Sequence, residues 1–103
     1  MSTPPTAAPT PADRDAFEAR LRAEGYDEIV SKSMGPDTFV PDHTHPFDVL
    51  GMVLEGGVTI DCGQGPRAYR PGETFEVARG VVHSERYGSD GYGFVAGRRH
   101  APR

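Results

Sequence analysis

The sequence predicts an all-β barrel or sandwich with one short helix on its N-terminal side, and three observations predict it. From Tyr26 onward, short runs rich in Val, Ile, Phe, Tyr and Thr alternate with turn residues. Gly and Pro are 13 and 10 of the 103 residues, and outside the first dozen positions, which hold four of the prolines, they punctuate those runs. No internal stretch carries the apolar period of a long helix.

Residues 1–12 are Met, Ser, Thr, Pro and Ala. Such a segment has little apolar surface to bury and is expected to be a disordered tail. The single domain is expected over 13–100, beginning with a helix over 13–24. Asp13 or Asp15 opens that helix, where a carboxylate suits the dipole. Phe17 and Leu21, four apart, form one apolar stripe, and Gly25 is the stop. A helix this short needs a packing partner.

The strands follow in order. "YDEIVSKSM" is a strand and "GPD" a turn. "TFVPDHTH" is a second extended run, with Pro41 and Pro46 marking an edge or irregular backbone. "FDVLGMVLEG" is an apolar strand, Gly56-Gly57 a turn, and "VTIDC" the next strand. "RAYR" and "ETFEVA" are separated by the Pro71-Gly72 turn. "VVHSERYG" and "YGFVAGRR" flank a loop tip at Ser89-Asp90-Gly91. The sum is about eight strands, with no repeat and no inter-domain linker.

Composition narrows the function classes. A net charge of −4 and a pI near 5.5 argue against a general polyanion binder, so no nucleic-acid partner is expected. The basic end Arg98-Arg99 and Arg14, Arg20 and Arg22 read as solvated charge. No apolar run approaches the roughly 20 residues of a membrane helix, and no membrane partner is expected. The N-terminus has no basic start followed by an apolar core, and a lone Cys62 makes no internal disulfide. The expected location is cytoplasmic. Cys62, at the end of an apolar strand, reads as a buried small hydrophobe. A domain this small gains modest stability alone, so a homodimer is expected.

The chemistry concentrates in "PDHTHP", residues 41–46, in a chain of four histidines. Residues two apart on a strand share a face, so His43 and His45 present two imidazoles side by side. Neutral imidazole is a common ligand for first-row metals. His83, on a separate strand-like segment, is the candidate third ligand, because His100 lies in the terminal "RRHAPR".

Two motifs carry a family resemblance. His43-Thr44-His45 is followed by "PFD", Val49, "LGMVLE" and Gly56. Gly72 is followed by "ETFEV", Ala78, Arg79, Gly80, "VV" and His83. In order and spacing this resembles a small single-domain cupin over roughly residues 26–97. The resemblance implies a double-stranded β-helix, or jelly-roll barrel, with a metal inside it. It also departs from the family at two places. Ala78 stands where the second motif has Pro. Val49 stands where the first motif has the Glu that usually supplies a fourth protein ligand, and Val ligates nothing. Asp48 replaces that Glu only if a bulge after Pro46 reverses its face.

The implied site is a divalent transition metal (Fe, Ni, Zn or Mn) on His43, His45 and His83. Three histidines leave open positions on the metal for water or substrate. Cupins include dioxygenases, isomerases, lyases, sugar-binding modules and sensor domains, so the family alone selects no activity. Glu85 shares the face of His83 and is the candidate catalytic residue, a base or a hydrogen bonder to bound water. Tyr87 follows on the same face. Tyr69, Phe75, Tyr92 and Phe94 are core residues, of which one or two wall the pocket. Val49 and Gly51 line it, while Leu50 and Met52 pack outward against the helix, a second sheet or a partner subunit.

Three readings stay open on the sequence. The first is a metal-binding cupin acting on a small organic acid or carbonyl compound, as dioxygenase, isomerase or lyase. The second is a non-catalytic small-ligand-binding or sensing module, and the third a vestigial barrel with a hydrogen-bonded histidine cluster. The chain has no length for a helix-turn-helix domain beside the barrel, so it is at most the sensor part of a regulator.

Overall fold

A computed structural model describes residues 8–100; the tail expected over 1–12 lies mostly outside them. The helix α1 spans Pro11–Ala23. It begins before Asp13 because Thr10 is the N-cap. The Thr10 hydroxyl accepts from the Asp13 N–H at 3.1 Å, and the Asp13 carboxylate accepts from the Thr10 N–H at 2.9 Å. Pro11 takes the first helical position, where its missing N–H costs nothing. Gly25, at φ +85°, turns the chain out of the helix.

Six strands follow: β1 Glu28–Met34, β2 Phe39–His43, β3 Asp48–Asp61, β4 Pro66–Tyr69, β5 Thr74–Val77 and β6 His83–Arg99. All pairings are antiparallel. The two long strands organise the molecule. The first part of β3 pairs with β5 and its last part with β4. The first part of β6 pairs with β2 and its last part with β1. Since β3 and β6 pair along their lengths, two four-stranded layers share the same two bent strands. One layer runs β1, β6, β3, β5, and the other β2, β6, β3, β4.

This corrects two turns expected from glycine. Gly56-Gly57 is not a hairpin turn but the bend of one strand, and Ser89-Asp90-Gly91 lies within β6. Val58 pairs with Tyr87 while Gly56 pairs with Tyr92, so β6 bulges out opposite a short step of β3. The eight expected segments exist, but four of them are halves of two continuous strands. At the bend Gly56 has φ +65°, and a Cβ there would lie 2.1 Å from the Gly91 carbonyl oxygen. Only glycine fits so close a backbone crossing.

The bend also switches the inward parity. Val49 and Val53 face inward on the first half of β3, and Val58 and Ile60 on the second. Outside, Leu50 and Met52 pack with Val95 against Phe17 and Leu21 of the helix. The helix thus covers the outer face that otherwise suits a subunit contact. A buried ionic junction closes this end. Asp48, 1% exposed, accepts from the Arg79 N–H at 2.9 Å and lies 3.2 Å from Arg99 Nε. Arg99 in turn donates to the Glu24 carbonyl at 2.9 Å, tying the end of β6 to the helix. Cys62 is exposed, contrary to the buried role expected, because β3 ends at Asp61 and leaves it in the turn.

Candidate metal centre and ligand cavity

Between the layers lies a cavity of about 220 Å³. Its histidine end is built from three separate pieces of chain. His43 ends β2, directly opposite His83, the first residue of β6. Val40 pairs with Glu85 and His43 with His83, so β2 carries one extra residue at Pro41-Asp42. Pro41 has no N–H to lose from the ladder, which makes it a natural residue for a bulge. The bulge keeps both Val40 and His43 on the cavity side. His45 lies just beyond β2, and its carbonyl accepts from the Gly80 N–H at 3.0 Å. That bond fixes it against the turn leading to β6.

The three rings converge. Centroids lie 4.2 Å apart for His43 and His83, 4.9 Å for His43 and His45, and 5.1 Å for His45 and His83. One ring nitrogen from each lies within 4.8 Å of the other two. The backbone fixes two tautomers. His43 Nδ1 is 2.8 Å from the Pro41 carbonyl and His83 Nδ1 is 3.0 Å from the Val81 carbonyl. A carbonyl only accepts, so both Nδ1 atoms donate. In the neutral ring each Nε2 is left as a lone pair.

Those lone pairs meet another acceptor. Glu85 Oε2 lies 3.5 Å from His43 Nε2 and 3.6 Å from His83 Nε2. Two imine nitrogens and a carboxylate oxygen facing one another repel unless a cation or a proton sits among them. This donor set fits a divalent transition metal. Ligands about 2.0–2.1 Å from a shared ion lie at most roughly 4.2 Å apart, so the widest spacing closes by a fraction of an ångström on binding.

His45 differs in its surroundings. Its ring stacks on Phe47 at 4.9 Å and 16°, and the Arg98 guanidinium lies 4.9 Å from the Phe47 ring centre. Burial foremost, then the neighbouring His83 and His43 and the Arg98 charge, hold its pKa below the usual histidine value. A lowered pKa favours the neutral ring, the form that can ligate.

The remaining wall is apolar and aromatic. Val49 lines the cavity and presents it with a methyl-bearing surface. Asp48 points the other way into its arginine junction and adds no carboxylate to the histidine cluster. The Phe75 ring covers Gly51, where a Cβ would meet its Cζ at 2.2 Å. Phe75, Tyr92 and Phe94 form a contiguous aromatic floor, the last two stacked at 4.8 Å. Tyr69 packs at the edge of the same core. Tyr87 and Tyr92 lie 5.3 Å apart, and burial with the Glu85 charge raises both phenol pKa values.

His100 is not among the converging histidines. Its backbone N–H donates to Asp27 at 2.8 Å and its ring lies 2.9 Å from Glu28, so this end is pinned to the start of β1. Lys32 and Phe47 also belong to the cavity and were not singled out from the sequence, and Arg98, expected to be solvated charge, lines it as well. For Lys32 the signal was present: it alternates with Val30 and Met34 on β1, all three on the inward side.

The family model described as AraC-like ligand binding domain matches residues 25–95. Among solved structures, the chain is similar to KdgF from Halomonas sp., at 17% identity and TM-score 0.59, over 71% of this chain and 68% of that one. It is similar to a Neisseria meningitidis protein at 25% identity and TM-score 0.58, over 69% and 71%. It is also similar to a cupin superfamily protein from Desulfitobacterium hafniense at 13% identity and TM-score 0.58, over 71% and 79%. These likenesses show the fold to be the double-stranded β-helix. No curated protein sequence matches the chain significantly.

Proposed function

Because the chain belongs to the AraC-like ligand binding domain family and is a small cupin domain, we propose that it binds a divalent transition metal and, beside it, a small organic ligand. The ligands on this reading are His43, His45 and His83. The observation that carries it is the convergence of three ring nitrogens within 4.8 Å, with two Nδ1 atoms committed to backbone carbonyls. A metal so bound would supply a Lewis acid or a redox centre with open positions for a substrate.

The chain's own residues do the rest. Glu85 is the polar helper, its carboxylate placed to hold or take a proton at the inner face of the site. Phe75, Tyr92 and Phe94 exclude water and hold the body of the ligand. The substrate proposed is a small organic acid or carbonyl compound, and the reaction classes that suit it are those of a dioxygenase, isomerase or lyase. A second reading is favoured by the family match itself: a non-catalytic module that senses a small ligand. Cytoplasmic placement and a homodimer stay part of the proposal. Among the described residues no helix is long and apolar enough to cross a membrane. A dimer would need a face other than Leu50 and Met52, which α1 covers.

Calorimetric titration of Zn(II) or Mn(II) into metal-free protein tests the reading. One site per chain, weakened at least 100-fold in His45→Ala, is expected. No saturable uptake of any first-row divalent metal would refute it. Saturable binding of an organic ligand without turnover would select the sensing module over the enzyme.

A further inference from the structure

The cavity carries a cation that the metal reading does not use. Lys32 sits on β1 between Val30 and Met34, and all three line the cavity. Its register partner on β6 is Phe94, part of the aromatic floor. An inward lysine between apolar neighbours breaks the pattern of a half-buried strand and places an ammonium at the cavity.

The only acidic residue lining the cavity is Glu85, which faces His43 and His83. The other cation there, Arg98, is 3.6 Å from Glu28 and lies over Phe47. Lys32 forms no ion pair among the described residues. With Arg98 offset by Glu28, the lining is left with Lys32 and Glu85, which form no ion pair with each other among the described residues. A dication on the histidines would make the cavity net positive in a chain of net charge −4. Such a cavity attracts anions against the overall charge of the molecule.

We infer that the cavity takes a ligand with a carboxylate paired to Lys32, an apolar or aromatic body over Phe75, Tyr92 and Phe94, and its far end toward the three histidines. This deepens the proposed function, choosing an acid over a neutral carbonyl compound, and its metal end rests on that reading. The ligand is small. A cavity of about 220 Å³ lies below the roughly 300–1,000 Å³ of drug-sized sites. Lys32 is a specificity-determining residue here, selecting charge.

The test uses the full chain with and without zinc, and calorimetric or NMR titration with benzoate, 3-phenylpropionate and hexanoate beside their neutral amides. At least one acid is expected to bind ten-fold or more tightly than its amide. Lys32→Gln is expected to remove that preference while leaving zinc uptake and amide binding unchanged. Lys32 is exposed at the cavity mouth, so its replacement is not expected to disturb folding. Equal binding of acid and amide, undiminished acid binding in Lys32→Gln, or no acid bound by the wild type would each overturn the inference. If zinc is not taken up but acid binding still depends on Lys32, the inference stands and the metal reading falls.

Discussion

His43 and His83 are register partners across the β2–β6 ladder, their ring centroids 4.2 Å apart, and each ring donates from Nδ1 to the carbonyl two residues before it. The same local device, used on two strands, aims both Nε2 lone pairs at Glu85 Oε2. The backbone thus preorganises the acceptor cluster.

Glu85 Oε2 lies 3.5 and 3.6 Å from Nε2 of His43 and His83, so on the proposed metal reading its loss should spare the metal. Glu85→Gln is expected to keep one metal per chain. The pH midpoint of the visible spectrum of the cobalt-substituted protein should shift downward, because a negative charge opposing deprotonation is removed. An unmoved midpoint, or loss of the cobalt, contradicts the helper role.

The helix is predicted to be part of the core. Leu21 is fully buried against Leu50, Met52 and Val95. Leu21→Ala should cost about 2–5 kcal/mol in urea unfolding, the range for deleting a buried leucine. A loss below about 1 kcal/mol would mean that α1 is only loosely docked.

Gly56→Ala tests the bend of β3. It meets both a positive φ of +65° and the Gly91 carbonyl, where a Cβ would lie 2.1 Å away. The expected loss is about 2 kcal/mol or more, since strain and overpacking add. Unchanged stability would mean that the two long strands do not cross here.

Stability should fall with acid in a defined window. Asp13, bonded by Thr10, and Asp27, bonded by the His100 backbone N–H, have carboxyls held below the usual value. Glu28 is lowered first by the His100 side chain and then by the Arg98 charge. The unfolded chain then binds more protons than the folded one as these groups titrate. Their contribution is complete above the ordinary carboxylate values and is lost as pH falls through the lowered ones. Urea midpoints from pH 6 to pH 3 should decline, less steeply in Asp27→Asn. Identical slopes in the two proteins would remove Asp27 from the account.

Much of this was legible in the sequence because it rests on local periodicity. Alternation puts His43 and His45 together and the family resemblance marks His83 as their companion, while the register of β2 on β6 is what sets His83 opposite His43. Phe17 and Leu21 identify the helix face that Leu50 and Met52 receive. The unread parts depend on where chains cross. Gly56-Gly57 carries the composition of a hairpin turn, but the strand continues because Gly91 crosses it closely. The helix starts two residues before Asp13 because the reciprocal bonds of Thr10 and Asp13 place that aspartate inside the first turn. The Asp48 junction joins residues far apart in sequence, Arg79 and Arg99, which no local pattern connects.

The most direct measurement is elemental analysis of untagged protein purified without added metal, in the wild type and in His83→Ala. His83 is 2% exposed, with its ring 4.2 Å from that of His43 and 5.1 Å from that of His45. Close to one divalent transition metal per wild-type chain, absent from a folded His83→Ala, is the predicted result. No metal in the wild type, with none taken up on titration, would contradict the central claim.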